Sequence, residues 1–313
     1  MINNDIRLHY LQSAAWQTFQ ESLGKKVFHR SGEGWEYRAI LEPARFGLSR
    51  LYCPYGPTAT SKRALVNALA SLDALARSQK VAYIRIQPLG YDLSPADARR
   101  LRFHPTDYSQ PSHTWHIDVA RPLDEIIADM KQNNRNLYRT YKKKGMVYEK
   151  SHNPADITHL THLLHGVASH NQISLHPDDY FVAQANALLP IGAASLHFMK
   201  FEGEIIAAAL VYEDDYASYY GHAAASHEHR KLGASTALLA CIVADAHKTG
   251  KQICDLYGIT TSKDPDHRWA GFTKFKKSFG GTLQPLSPTY EISVAPLRYT
   301  LYRLAKQLRR ALS

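Results

Sequence analysis

The sequence predicts an α/β protein with mixed sheets, built as two tandem units of one kind with a cleft between them. Three features lead there: one order of elements occurs twice, the middle of each copy has helical periodicity, and a short strand closes each copy. The first copy runs through strand candidates Trp35 to Leu41 and Leu48 to Tyr52, then Tyr55-Gly56, a helix from about Ser61 to Gln79, and the strand in Val81-Ala-Tyr-Ile-Arg-Ile-Gln-Pro88. The second follows about 165 residues later. It runs through Ser195 to Phe201, a turn at Glu202-Gly203-Glu204, Ile205 to Tyr212, Tyr216 to His222 with Tyr220-Gly221, a helix from about Ala234 to Thr249, and the strand Gln252 to Tyr257. Apolar residues sit at helical spacing in both helices, Leu65, Leu69, Leu72 and Leu75 in one and Leu238, Leu239, Ile242 and Val243 in the other. A crossover helix supports parallel pairing, so each closing strand is expected to lie parallel to the strand before its helix. The junction of two such units is a natural place for a ligand cleft.

A chain of 313 residues is long enough for each unit to bury its own core, and 44% hydrophobic with 21% charged residues is ordinary for a globular protein. No run approaches the roughly 20 apolar residues of a membrane span, and the polar start Met1-Ile-Asn-Asn-Asp5 lacks the features of a signal peptide, so a cytoplasmic protein is expected. Cys53, Cys241 and Cys254 are widely spaced within apolar runs, which suits small buried thiols and excludes a zinc-ligand spacing. A net charge of +10 favours polyanionic partners without choosing between nucleic acid, nucleotide diphosphates and an anionic membrane surface.

Between the copies, Leu123 to Gly145 reads as one helix with Ile126, Ile127, Met130 and Leu137 on one side. Its second half carries Arg135, Arg139, Lys142, Lys143 and Lys144 among Asn133, Asn134, Tyr138 and Tyr141, with no acid between Lys131 and Tyr148. A solvated face usually intersperses acids for i to i+4 pairing, so contact with RNA or another polyanion is the reading taken. His159, His162 and His165 alternate with Leu160, Leu163 and Leu164, the pattern of an amphipathic helix, and no metal is expected there. Before the second-copy helix, Arg230-Lys-Leu-Gly-Ala-Ser235 resembles the phosphate-binding loop of the GNAT N-acyltransferases, in which backbone amides at a helix start hold the coenzyme A pyrophosphate.

Beyond the last strand of the second copy, Trp269-Ala-Gly-Phe-Thr-Lys-Phe-Lys-Lys-Ser-Phe-Gly-Gly281 sets Lys274, Lys276 and Lys277 among Trp269, Phe272, Phe275 and Phe279. Ammonium groups beside rings are poorly solvated and suit an anion or a charge that develops during reaction. The last segment, Pro296 to Ser313, places Leu297, Leu301, Leu304, Leu308 and Leu312 on one helical face, with Arg298, Arg303, Lys306, Arg309 and Arg310 around the other. That suits an anionic lipid surface and equally a terminal helix packing its leucines on the first domain; packing is the reading taken.

Six tracts in order carry a resemblance over nearly the whole length: Leu11-Gln-Ser-Ala-Ala-Trp16, Tyr52-Cys-Pro-Tyr-Gly-Pro-Thr58, Tyr83-Ile-Arg-Ile-Gln-Pro88, Met130-Lys-Gln-Asn-Asn-Arg-Asn136, Tyr219-Tyr-Gly-His-Ala223 and Gly271-Phe-Thr-Lys-Phe-Lys-Lys-Ser-Phe-Gly280. With them the chain resembles the FemABX family of non-ribosomal peptidyltransferases, which use aminoacyl-tRNA to build peptidoglycan interpeptide bridges. The resemblance implies two GNAT-like domains, residues 1–113 with 288–313 and residues 114–287, of the compact kind without a coiled-coil arm. It implies attack by an amine of a peptidoglycan precursor's stem peptide, lipid-linked or nucleotide-linked, on the ester carbonyl of a Gly-, Ala- or Ser-charged tRNA, with no cofactor beyond that co-substrate. Lys276 falls on the family's catalytic lysine, placed to stabilise the oxyanion, and Phe275 on its aromatic neighbour. The precursor-binding Arg/Tyr pair falls on His176 and Tyr180, a further tyrosine on Tyr220, and a first-domain lysine and an aspartate fall near Gln20 and Gln87. Two other readings are an acyl-coenzyme A-dependent N-acyltransferase using Arg230 to Ser235, and an idle RNA- or membrane-binding protein of this fold.

Overall fold

A computed structural model describes residues 7–90, 94–107, 109–171 and 175–311. The start Met1 to Asp5, and Leu312 and Ser313 of the terminal segment, lie outside the described residues, as do the side chains of Arg309 and Arg310. Two compact units result, one of residues up to Ser112 together with those from Leu286 onward, the other spanning His113–Pro285.

In the first unit the chain forms α1 (Ala14–Ser22), β1 (Lys26–Gly32), β2 (Trp35–Pro43), β3 (Ser49–Cys53), β4 (Thr58–Ala59), α2 (Lys62–Ser78), β5 (Tyr83–Ile86), α3 (Pro95–Arg100) and β6 (His104–Pro105). Ser13 and Ser61 start α1 and α2 by accepting hydrogen bonds from the Trp16 and Ala64 amides, 3.1 and 3.2 Å, which satisfies orphan donors of the first turn. Helix α2 buries Leu65, Leu72 and Leu75 on the sheet, and β3 and β5 on either side of it pair in parallel, Arg50↔Tyr83 to Cys53↔Ile86.

The second unit contains β7 (His113–Asp118), α4 (Leu123–Asp129), α5 (Gln132–Thr140), β8 (Met146–Ser151), α6 (Ile157–Asn171), α7 (Asp178–Leu188), β9 (Ala194–Phe201), β10 (Glu204–Glu213), β11 (Ala217–Ala225), α8 (Ala234–Lys248), β12 (Ile253–Gly258), α9 (Ala270–Lys277) and β13 (Thr282–Pro285). Its sheet runs β13-β7-β12-β11-β10-β9-β8, with β11 and β12 parallel around α8. Each copy therefore has an antiparallel pair, then a helix and a parallel strand, as the repeat predicts. The chain then returns to the first unit as β14 (Tyr290–Ser293), seated between β5 and β6, and α10 (Pro296–Ala311).

Two expectations are corrected. The single helix over Leu123 to Gly145 is in fact α4, an extended break at Met130 (φ −67°, ψ 150°) and Lys131, then α5 and a 3-10 turn Lys142–Lys144. Burial of Met130 and tertiary hydrogen bonds replace the helical ones: Lys131 N–H donates to Ser278 O at 2.8 Å, and Asn134 Nδ2 donates to Ser278 O and Oγ at 3.1 and 2.7 Å. Asn134 is therefore a buried strut rather than a surface contact. Second, α10 does not pack its leucines on the domain. It docks through Tyr299 and Tyr302, which bury against Ala82 and Tyr83, because the phenols add a hydrogen bond (Tyr299 Oη to Glu291 Oε2, 3.0 Å) and ring stacking (Tyr302 on Tyr83, 4.9 Å) that leucines lack.

Tyr302→Ala is expected to cost the first unit about 3–5 kcal/mol, while Leu301→Ala and Leu304→Ala stay within about 0.5 kcal/mol. Urea denaturation of the three variants checks this, and comparable losses for the leucines would refute the tyrosine docking.

Candidate active site

Two bulges shape the site. Between Leu210 and Val211 the β10–β11 register shifts, leaving Gly221 as the extra residue; a Cβ there would stand 2.4 Å from the Tyr212 ring, so only glycine fits. Gly56 of the matching Tyr55-Gly56 is equally confined, 2.8 Å from Cys53 Sγ and the Gln12 side chain. In the second unit the bulge turns the ring of Tyr220 into the core on the α8 side. The second irregularity lies in the β12–β7 pairing between Asp255 and Gly258, where Tyr257 takes φ 64°.

Strands β11 and β12 pair only from Ala217↔Ile253 to Tyr219↔Asp255, although both continue further. Beyond that point the ladder ends, and beside the unpaired part of β11 lies a cavity of ≈ 510 Å³ whose lining includes Tyr220, Ala223, Leu238, Phe272, Phe275 and Lys276. It adjoins a second cavity of ≈ 630 Å³ at the start of α8, lined by His162, His227, His229 and Arg230 among others; Val167, Ala225 and Ser235 border both. Gly233 caps α8 with φ 72°, and a Cβ there would meet Leu137 of α5 at 2.7 Å, so α5 lies directly on the loop Arg230 to Ser235.

The three lysines of the tract differ sharply. Lys274 and Lys277 are exposed, Lys277 lying 5.2 Å from the Trp115 ring, whereas Lys276 enters the cavity and donates to Gly258 O at 2.7 Å. Burial pushes the Lys276 ammonium down to about 8, with Asp255 opposing. Phe275 is half-buried, edge-on to the fully buried Phe279 at 5.1 Å, and forms the adjoining wall.

Asp255 is the anion behind this lysine. Burial alone would raise its carboxyl, but His116 (3.2 Å), the Thr114 hydroxyl and the Tyr257 amide (2.6 Å) all bond to the carboxylate and hold it below the ordinary range. Sequence reading gave Asp255 no role. The signal was present: a lone acid in the apolar strand Ile-Cys-Asp-Leu requires buried partners, and Thr114 and His116 alternate on the facing strand.

Lys276, Phe275 and Tyr220 are thus brought into one cavity. His176 and Tyr180 do not line it. They stack on one another at 4.2 Å beside His222, whose ring burial pushes down to about 4 and which follows Tyr220-Gly221 on β11. Gln20 and Gln87 belong to the first unit and are buried: Gln20 Oε1 accepts from Lys25 Nζ at 2.9 Å, and Gln87 Nε2 donates to Gln110 O at 3.3 Å. A cation therefore does reach Gln20, from a lysine five residues on that sequence reading overlooked. Arg139 and Lys142 to Lys144 are exposed, while Arg135 caps the end of α4 at Ala128 O; Tyr138 and Tyr141, expected as contact rings, pack on the core cluster instead. Among the described residues no group of three His, Cys, Asp or Glu side chains could hold a metal, and the three cysteines are free and buried.

This architecture is a tandem of two GNAT-like α/β folds. Residues 193–307, the segment that carries Lys276 and much of the cavity lining, match the model of the FemAB family. The fold is similar to the crystal structure of FemX, TM-score 0.83 at 18% identity over 93% of this chain and 94% of that one. It is also similar to the C-terminal domain of a putative lysylphosphatidylglycerol synthetase from Agrobacterium fabrum, TM-score 0.61, 13% identity, 95% and 92% covered. A tandem GNAT protein from the clavulanic acid biosynthesis pathway follows at TM-score 0.51, 12% identity, 93% and 91% covered. Comparison with curated protein sequences finds no match.

Because burial pushes the Lys276 ammonium down to about 8, its labelling by a small amine-acylating reagent is expected to show a pH midpoint near 8. Competitive labelling read by peptide mass spectrometry measures this; a Lys276 midpoint near the ordinary lysine value would contradict its desolvation.

Proposed function

We propose that this protein is an aminoacyltransferase that moves an aminoacyl group from a charged tRNA to an amine of a peptidoglycan precursor's stem peptide. One observation carries the reading: a desolvated lysine, Lys276, stands in the same cavity as Tyr220, next to a second cavity at a helix start, within the segment that matches the FemAB family. The general transferase class rests on that match and on the FemX-like fold. The tRNA donor, the precursor and the residue roles are the proposal.

In the proposed reaction the acceptor nitrogen attacks the ester carbonyl carbon, forming the C–N bond and placing a negative charge on the carbonyl oxygen. An ammonium has three N–H donors, and Gly258 O takes one from Lys276, leaving two to meet the oxyanion inside the cavity. As the intermediate collapses, the C–O bond to the ribose breaks and the ribose oxygen leaves with the proton lost by the amine. Phe275 excludes water from the lysine, which strengthens its field. The start of α8, with Arg230 and the exposed cations of α5 and the following turn, suits the phosphates of the donor's end. His176, Tyr180 and Tyr220 are assigned to the acceptor side, and Gln20 with Lys25, and Gln87, to further precursor contacts.

The same loop suits the pyrophosphate of coenzyme A, the second reading. Incubation with Gly-, Ala- or Ser-charged tRNA and either lipid-linked or nucleotide-linked pentapeptide is expected to carry label into the precursor; failure with every donor together with transfer from an acyl-coenzyme A would reverse the order. Lys276→Met is expected to lower single-turnover rate by roughly 10²–10³ with precursor affinity retained.

The pH sign follows from the role. A lysine that works as an ammonium is active below its pKa, so the rate should fall as pH rises through about 8, and Lys276→Arg should move that limb upward. Deprotonation of the acceptor amine raises the rate with pH independently, so the limb is read from the ratio of wild-type to Lys276→Arg rates; a ratio that does not fall through about pH 8 would refute the ammonium role. Replacing Arg139 and Lys142 to Lys144 by alanine should weaken tRNA binding and flatten its salt dependence, with Arg135→Ala doing less; unchanged filter binding would mark a solvated face.

A further inference from the structure

Helix α10 turns Leu297, Leu301, Leu304 and Leu308 to solvent, 84, 68, 51 and 66% exposed. Their spacing of four, three and four residues makes one continuous stripe. The helix cannot roll to hide it, because Tyr299 and Tyr302 pin the opposite side to Tyr83 and Glu291. Next to this helix the turn Arg45–Gly47 raises Phe46, 65% exposed, with exposed Arg45 beside it; its stems Ala44 and Leu48 pack on the same tyrosine cluster. Two separate elements of one unit thus present large apolar side chains with cationic neighbours.

The charges select the partner. From Pro296 to Ala311 the sequence has Arg298, Arg303, Lys306, Arg309 and Arg310 and no acid. Lys306 reaches back to Asp107 (3.3 Å) and Thr106 (2.8 Å) and Arg303 approaches His104 (3.4 Å), while Arg298 is exposed alongside the stripe. A second copy of this face would bring like charges together, whereas an anionic surface complements them.

We propose that α10, with the turn at Phe46, docks on an anionic lipid bilayer, the helix lying in the headgroup plane with its leucines at the acyl boundary. At 16 residues α10 is too short to cross, and no described helix is long and apolar enough to do so. A single amphipathic helix and one aromatic give reversible, salt-sensitive attachment. The inference does not rest on the transfer reaction: attachment needs neither donor nor acceptor.

Sedimentation of the full chain with vesicles of phosphatidylcholine, alone or with about one-third phosphatidylglycerol, tests it. Binding is expected on the anionic vesicles, roughly tenfold weaker on the neutral ones, and weakened by salt. The pair Leu301→Glu and Leu304→Glu should lower anionic binding at least about tenfold with the melting temperature unchanged, and Phe46→Ser a few-fold. Absence of binding, binding indifferent to these substitutions, or a fall in melting temperature would overturn the proposal. So would a concentration-dependent dimer in mass photometry that the same pair disperses without any vesicle binding.

Discussion

A parallel ladder that ends after three pairs must be kept from extending against the tendency of backbone groups to bond. In the second unit that end depends on Asp255. Its buried carboxylate, tied to Thr114, His116 and the Tyr257 amide, stands at the last pair of the β11–β12 ladder and fixes the bulge after it. The bulge sets where the Gly258 carbonyl points, and that carbonyl receives the Lys276 ammonium. A buried carboxylate and a buried ammonium that do not touch thus sit at the two ends of one short strand segment. The low local dielectric that makes each costly alone also makes the lysine's field effective toward any charge formed in the cavity.

The first unit repeats the plan without the early end to the ladder. There β3 and β5 stay paired along the whole of β5, and its Tyr-Gly glycine is hemmed in by Cys53 and Gln12 rather than by a facing strand's ring. The difference is local: one extra residue in β11 and one in the β12–β7 pairing separate a closed sheet from a sheet with a cavity. Around that cavity the break between α4 and α5 serves as a brace. Lys131 and Asn134 hold Ser278 just past α9, while Leu137 of α5 sits on Gly233 at the start of α8. The helix that carries Lys276 and the start of α8 are therefore positioned by the same short, cation-rich segment.

The sequence by itself determined the repeat, the parallel crossover in both units, the burial of the cysteines and the tract that holds the buried lysine. Each of these follows from local patterns, periodicity of two or 3.6 and turn residues, that survive in any context. What only the tertiary structure decided was which members of a pattern meet the core. Three lysines look alike in the chain, and one becomes desolvated because α9 aims it at the cavity. Leucines at perfect helical spacing on α10 stay in water while two tyrosines between them are buried, since docking was settled by the partner surface of Tyr83 and Glu291 rather than by hydropathy. The helix predicted over Leu123 to Gly145 breaks at Met130 because Ser278, 144 positions beyond Asn134, offers better hydrogen bonds than the next turn. Periodicity reports what an element can bury; only long-range contacts determine what it does bury, and against what.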